Sequence, residues 1–219
     1  MRKLAQPQVV TAAAVAAALS AALSLPRMLL WSKRPFPLWY VETTLFLGGF
    51  VFWAFVFAWH TEYTRRPVFT FKIKPSILTF ATLVGVATGL GLRFFLDPSF
   101  RQISPEDYPV DFPHWVASTL FALAFTQLFL LYAPFAWLMR LFRNEQAATA
   151  LTIVLSVTVL LLKTHSSPTP PPFSMFLELL VLRVVLVFFA IWFYLRGGIL
   201  LVSWLGLLLE ARHLFDFPL

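Results

Sequence analysis

The sequence contains no cysteine. That absence excludes a disulfide framework, a thiolate metal site and a cysteine nucleophile. Charge is scarce too: Asp, Glu, Lys and Arg make up 12% of the 219 residues, against about 25% in an ordinary soluble domain. Too little polar surface remains to coat a water-soluble globule. The histidines are few and dispersed at His60, His114, His165 and His213, with no two inside one helical turn. The sequence has no His-Glu-x-x-His, no Gly-x-Ser-x-Gly and no phosphate-binding glycine loop. These patterns predict no metal site and no cofactor. The net charge of +7 raises nucleic acid as a partner, but no basic tail or zinc-ligand spacing supports it.

What is abundant is apolar. Hydrophobic residues form 59% of the chain, aromatics 17%, and phenylalanine alone occurs 25 times. Lipid solvates such an exterior where water does not. A membrane helix needs about 20 mainly apolar residues. Seven stretches are candidates, the fifth of them short: Val9 to Leu30, Leu38 to Trp59, Ile77 to Leu96, Trp115 to Met139, Ala147 to Leu162, Phe173 to Leu195, and Ile199 to about Leu214. The expected fold is therefore all-α, a polytopic transmembrane bundle of about seven spans forming one integral membrane domain over residues 1–219. Arg2 and Lys3, an alanine-rich core and then Ala-Leu-Ser give the first span the layout of a secretory signal. It is read as an uncleaved first helix. Only Arg196, Gly197 and Gly198 separate the last two spans, so a tight turn should make them antiparallel neighbours. The proline-rich connector Ser166 to Pro172 is stiff and extended.

Charge sets the orientation. Arg65, Arg66, Lys72 and Lys74 follow the second span, Arg140 and Arg143 the fourth, and Arg196 the sixth; Arg2 and Lys3 share their side. The opposite side carries the acidic loop with Asp97, Glu106, Asp107 and Asp111, together with Arg27, Lys33 and Arg34. The positive-inside rule then places the N-terminus in the cytoplasm and the C-terminus outside, in a bacterial cytoplasmic membrane. Basic residues flanking spans contact anionic headgroups, so lipid is the expected partner of this charge rather than nucleic acid. Trp31, Trp39, Trp59 and Trp115 lie near span ends as interface anchors. Even the longest loop, Asp97 to His114, has no room for a soluble catalytic domain.

Ionisable residues inside spans cost a few kcal/mol each and mark functional candidates. Glu178 and Arg183 lie in the sixth span, roughly 140° apart round the helix, so each needs a partner elsewhere. Glu210, Arg212 and His213 cluster near the end of the seventh, where they form either an interfacial polar cap or part of a site. Glu42 sits one turn inside the second span. Thr126 and Gln127 lie mid-membrane in the fourth and suit interhelical hydrogen bonding. Lys163 and His165 close the fifth. Gly85, Gly89 and Gly91 form a small-residue face for close packing. His60 and Glu62, beside Tyr63, Arg65 and Arg66, read as headgroup-level residues.

The C-terminal half, roughly Phe121 to Phe215, carries a further pattern. Trp192-Phe-Tyr-Leu-Arg-Gly-Gly-Ile-Leu-Leu-Val-Ser203 resembles the tyrosine-leucine-arginine-x-glycine turn of the CAAX-protease and bacteriocin-processing (CPBP) family of intramembrane proteases. By that resemblance, Thr126-Gln-Leu-Phe-Leu-Leu131 occupies the place of the family's Glu-Glu-x-x-x-Arg. Lys163-Thr-His165 falls near its Phe-x-x-x-His, and Gly206-Leu-Leu-Leu-Glu210 near its final His-x-x-x-Asn. The resemblance implies a helical core in which paired glutamates and histidines activate a water for peptide hydrolysis. This chain departs from that set. Thr126 and Gln127 replace the glutamates, Leu131 the arginine, Gly206 the last histidine and Leu161 the phenylalanine; His165 alone matches. Neither threonine nor glutamine serves as a carboxylate base.

Three functions follow as expectations. The first is a non-catalytic accessory or scaffold subunit, a pseudoprotease contacting lipid and other membrane subunits. The second is a protease using a shifted set of His165, Glu178, Glu210 and His213. The third is a small transporter or channel lined by Glu42, Glu178 and Arg183, although no inverted repeat is visible.

Overall fold

A computed structural model describes residues 3–30, 36–105, 108–166 and 170–217. The chain is helical almost throughout, and no strand forms among the described residues. Six helical stretches are long and apolar enough to cross a membrane: α1 (Pro7–Leu30), α2 (Leu38–Thr64), α3 (Pro75–Ile103), α4 (Phe112–Phe142), α5 (Glu145–His165) and α6 (Phe173–Asp216). The protein is thus an all-α, multi-pass membrane protein. Of the residues named above, Arg2, Trp31, Lys33, Arg34, Glu106 and Asp107, with part of the Ser166 to Pro172 connector, lie outside the described residues.

The chain divides into two compact units, one formed by Met1–Val68 and Val116–Ala148 and the other by Phe69–Trp115 and Thr149–Leu219. In the first, α1 buries Ala13, Ala17, Ser20, Ser24 and Met28. Their spacing of three and four keeps them on one face. Alanine and serine leave room for close approach, and Gly49 of α2 sits directly against Ala17. The Trp53 indole N–H donates to Ser20 Oγ at 2.9 Å, pinning the pair. Lys3 pairs with Glu62 at one end, so α1 and α2 run antiparallel. Helix α4 runs beside α2 in the same direction, with Phe52 on Phe129 (5.3 Å), His60 on Phe135 (6.4 Å) and Arg140 over Trp59 (4.3 Å).

Several of these helices are locally underwound. The π form appears at Val56–His60, Leu92–Leu96, Ala122–Thr126 and Leu128–Tyr132. A π turn brings residues five apart onto one face. Gln127 and Tyr132 are such a pair: the Tyr132 hydroxyl donates to Gln127 Oε1 at 2.6 Å.

In the second unit, α6 covers 44 residues. A straight helix of that length spans about 66 Å, more than twice the roughly 30 Å hydrocarbon core. It is not straight. Gly198 breaks it with φ 63° and ψ −159°, a conformation that a Cβ would oppose. Phe80 of α3 meets Phe189, Trp192 and Phe193 at 5.6 to 6.0 Å. Only two residues on, Thr82 Oγ1 accepts the Trp204 indole N–H at 2.9 Å. In a continuous helix Phe193 and Trp204 would stand about 16 Å apart. The chain therefore doubles back at Gly198, giving limbs 173–197 and 199–216. The two limbs are 25 and 18 residues long. No three-residue turn intervenes, as the sequence had suggested; helical backbone continues to the break itself.

Limb 199–216 runs parallel to α3. Gly85 makes this possible: a Cβ there would lie 2.9 Å from Leu208 Cβ, and one on Gly89 would lie 3.2 Å from the Leu208 carbonyl oxygen. Gly91, grouped with them from spacing alone, meets nothing within 4 Å. It lies off the packed face.

Candidate functional site

The densest polar cluster lies where α3 and limb 199–216 end together. The π turn Leu92–Leu96 and the short helix Asp97–Ile103 that follows it project Arg93, Asp97 and Arg101 towards the final 3-10 turn, Ala211–Asp216. Asp97 Oδ2 accepts from Arg212 Nε at 3.0 Å, and Asp97 Oδ1 from the Tyr108 hydroxyl at 2.9 Å. Asp216 Oδ1 accepts from Arg93 at 2.7 Å, and its second oxygen from Arg101. Arg93 also donates to the Arg212 carbonyl at 2.9 Å, and Arg212 to that of Leu209 at 2.7 Å. Arg101 stacks over Tyr108 at 4.8 Å, and Tyr108 meets His213 edge-on at 5.4 Å. His213 Nδ1 faces Asp216 Oδ2 at 3.4 Å. The Trp115 indole donates to the Glu210 carbonyl at 2.8 Å.

The electrostatics follow from this wiring. Three arginines meet two aspartates, and each aspartate takes donors on both oxygens. Asp97 and Arg212 retain side-chain exposures of only 8% and 16%, so the pair is largely withdrawn from water. Burial, the hydrogen bond to Asp97 and that carboxylate's charge raise the Tyr108 phenol well above its ordinary value, against the opposing pull of Arg212 and Arg101. On the adjoining loop, the His114 backbone N–H and ring hold the exposed Asp111 carboxyl below its usual range.

The cluster takes in Arg212 and His213, two of the three residues flagged at the end of the last span. The Glu210 carboxylate has no hydrogen-bond partner among the described residues. His165 and Glu178 are exposed and form no ion pair or hydrogen bond with that group. Glu178 and Arg183 do not pair, as their angular separation requires. Arg183 instead donates through Nε to Ser156 Oγ at 2.7 Å. Ser156 lies near the middle of the 21-residue α5, roughly 14 to 16 Å from either end. No carboxylate lies within ion-pair reach of Arg183 among the described residues. Glu42 is half-buried, and its Oε1 is enclosed without a partner. Thr126 is half-buried beside Gln127. Gln127 accepts the hydroxyl of Tyr132 in its own helix. His60, at the end of the π turn Val56–His60, is fully buried against Phe135. Among the described residues no three Asp, Glu or His side chains are grouped to hold a metal ion.

Sequence reasoning assigned no role to Arg93, Arg101, Tyr108 or Asp216. One signal was present: Asp216 stands three residues after His213, on the same helical face. Nothing local linked Arg93 to a residue more than a hundred positions away. Chemically, the cluster has committed its two aspartates. Asp97 and Asp216 are held by guanidinium groups, and His213 is 3% exposed, so none of the three stands open to a substrate water.

No family model, curated protein or solved structure matches the chain. Fold and site together define a polytopic α-helical membrane protein.

Proposed function

We propose that this chain is a non-catalytic multi-pass membrane protein, an accessory or scaffold subunit of a membrane complex whose C-terminal half is a CPBP-like bundle without hydrolytic machinery. One observation carries the reading: among the described residues, no hydrogen bond or ion pair joins His165, Glu178, Glu210 and His213 to one another. His165 and Glu178 are exposed and form no ion pair among the described residues, while His213 is packed into the ion network of Asp97 and Asp216. Water activation needs a base with an open lone pair beside the substrate. The polar groups serve instead as helix-to-helix fasteners, which leaves the apolar faces for lipid and partner helices. The cytoplasmic N-terminus and a bacterial cytoplasmic membrane belong to the same proposal, on the strength of the basic loops.

Native mass spectrometry of the full chain, extracted with its surrounding lipid, tests this. A stoichiometric assembly with another membrane protein is expected. A homogeneous monomer throughout would count decisively against it. Glu178→Gln and Glu210→Gln should leave any peptide cleavage by the preparation unchanged; loss in either would restore the protease.

A second reading has its own support. A guanidinium held at mid-span without a described acidic partner is a feature of ion and substrate paths. Chloride or acetate flux into proteoliposomes that vanishes in Arg183→Gln would establish a transporter. Flux equal to protein-free vesicles would dismiss it.

A further inference from the structure

The first unit gathers arginines at the end of α2 and α4. These helices both finish on an arginine with left-handed backbone, Arg65 at φ 57° and Arg143 at φ 50°. The turns are alike: Arg65 N–H donates to the Thr61 carbonyl at 3.0 Å, and Arg143 N–H to that of Met139 at 2.9 Å. Glycine or asparagine closes a helix in this way with less strain. The backbone alone therefore does not call for arginine at either position, and strain of this kind recurs at ligand clamps.

The surroundings draw the two ends together. Arg66 grips Glu145, at the start of α5, with both oxygens at 3.2 Å. Arg140 lies over the Trp59 ring at 4.3 Å, and Arg143 over Tyr63 at 6.0 Å. Arg65 and Arg143 are exposed and have no acidic partner among the described residues. Four arginines and one glutamate leave the patch with a formal charge of +3. Just inside it on α4, Trp137, Leu141 and Phe142 are 46%, 53% and 51% exposed. A cationic rim above an exposed apolar wall matches a molecule with a phosphate at one end and hydrocarbon at the other.

We infer that this end of the first unit is a binding site for the headgroup of an anionic phospholipid, with Arg65 and Arg143 on the phosphate, Arg140 beside them, and the acyl chains along Trp137 and Leu141. Both arginines terminate membrane-spanning helices, so they stand at the depth where headgroup phosphates lie. The pairing of Arg66 with Glu145 fixes the two loops without drawing on Arg65 or Arg143.

Lipid retention by the full-length protein, measured by native mass spectrometry, provides the test. The probes are phosphatidylglycerol and phosphatidylcholine. The wild type should retain the first in preference to the second. Arg65→Gly with Arg143→Gly keeps the left-handed turns and removes both guanidinium groups. It should weaken phosphatidylglycerol binding about thirty-fold, or roughly 2 kcal/mol at about 1 kcal/mol per arginine, with the unfolding temperature unchanged. Lys72→Gln with Lys74→Gln removes the same charge elsewhere and should have little effect. Equal losses in the two pairs would replace the site with a diffuse basic field. No loss in the glycine pair would reduce the arginines to helix caps. Displacement of the lipid by millimolar inorganic phosphate would assign the site to a soluble anion. Should the glycine pair not fold, Arg140→Gln decides: it leaves both turns alone and is expected to lose about five-fold, and an unchanged affinity would overturn the site.

Discussion

Arginine clusters close a helix pair in each unit of this protein, and they are wired in opposite ways. At the end of α3 and α6, Arg93, Arg101 and Arg212 are all engaged by Asp97 and Asp216 within a largely buried network. At the end of α2 and α4, one of four arginines is paired with a carboxylate among the described residues, Arg66 with Glu145, and Arg65 and Arg143 are exposed. The first arrangement turns its charge inward and holds the C-terminal turn to α3. The second leaves its charge available. Counting basic residues does not separate them, because the acidic residues decide which guanidinium groups remain open.

Breaking the closed network should produce the largest effect. Asp97→Ala leaves Arg212 buried without its counter-charge and removes the acceptor of Tyr108. Losing one partner of a buried pair is expected to cost about 3 kcal/mol. Thermal unfolding in mild detergent should record a markedly lower midpoint. A midpoint within a degree of the wild type would show that water already solvates the pair, and the contrast between the two clusters would disappear.

A smaller effect tests the same network from Tyr108. Tyr108→Phe removes one hydrogen bond and is expected to cost about 1 kcal/mol. Its pH dependence gives the sharper reading. The folded protein holds the phenol above its ordinary 10.0, first through burial and then through Asp97. The resulting stability is fully present below pH 10. It is lost as pH rises towards the folded value, because the unfolded chain releases that proton first. Above pH 10 the wild type should therefore lose stability more steeply than Tyr108→Phe. Parallel slopes would place Tyr108 in water and away from Asp97.

How much of this was legible beforehand depends on how local the cause is. The apolar runs revealed the spans, since twenty apolar residues have few other uses. The Arg196-Gly-Gly stretch revealed the reversal that Gly198 makes. Gly85 and Gly89, four apart, revealed the face on which Leu208 packs. The π turns were not legible, because π and α backbones draw on the same residues. The closed network was half legible. Arg212 and His213 stood out in an apolar helix. Asp97 was read as loop charge, because its partner lies 115 residues further on and only tertiary packing brings the two together.

The smallest expected change in stability belongs to Glu145, and it separates the clusters best. Glu145 and Arg66 each keep 40% of their side chain exposed. Exposed pairs contribute about 0 to 1 kcal/mol, so Glu145→Gln should lower the unfolding midpoint by little or nothing, in contrast to Asp97→Ala. The same change frees Arg66 and raises the formal charge of the open patch from +3 to +4. If that patch holds an anionic headgroup, phosphatidylglycerol retention should rise by up to about five-fold, one further arginine at about 1 kcal/mol. Removing an acid would then weaken one cluster's grip on its own chain and strengthen the other's grip on lipid. A fall in retention instead would mean that the fixed loop geometry supplied by Arg66 and Glu145 matters more to the site than the added charge.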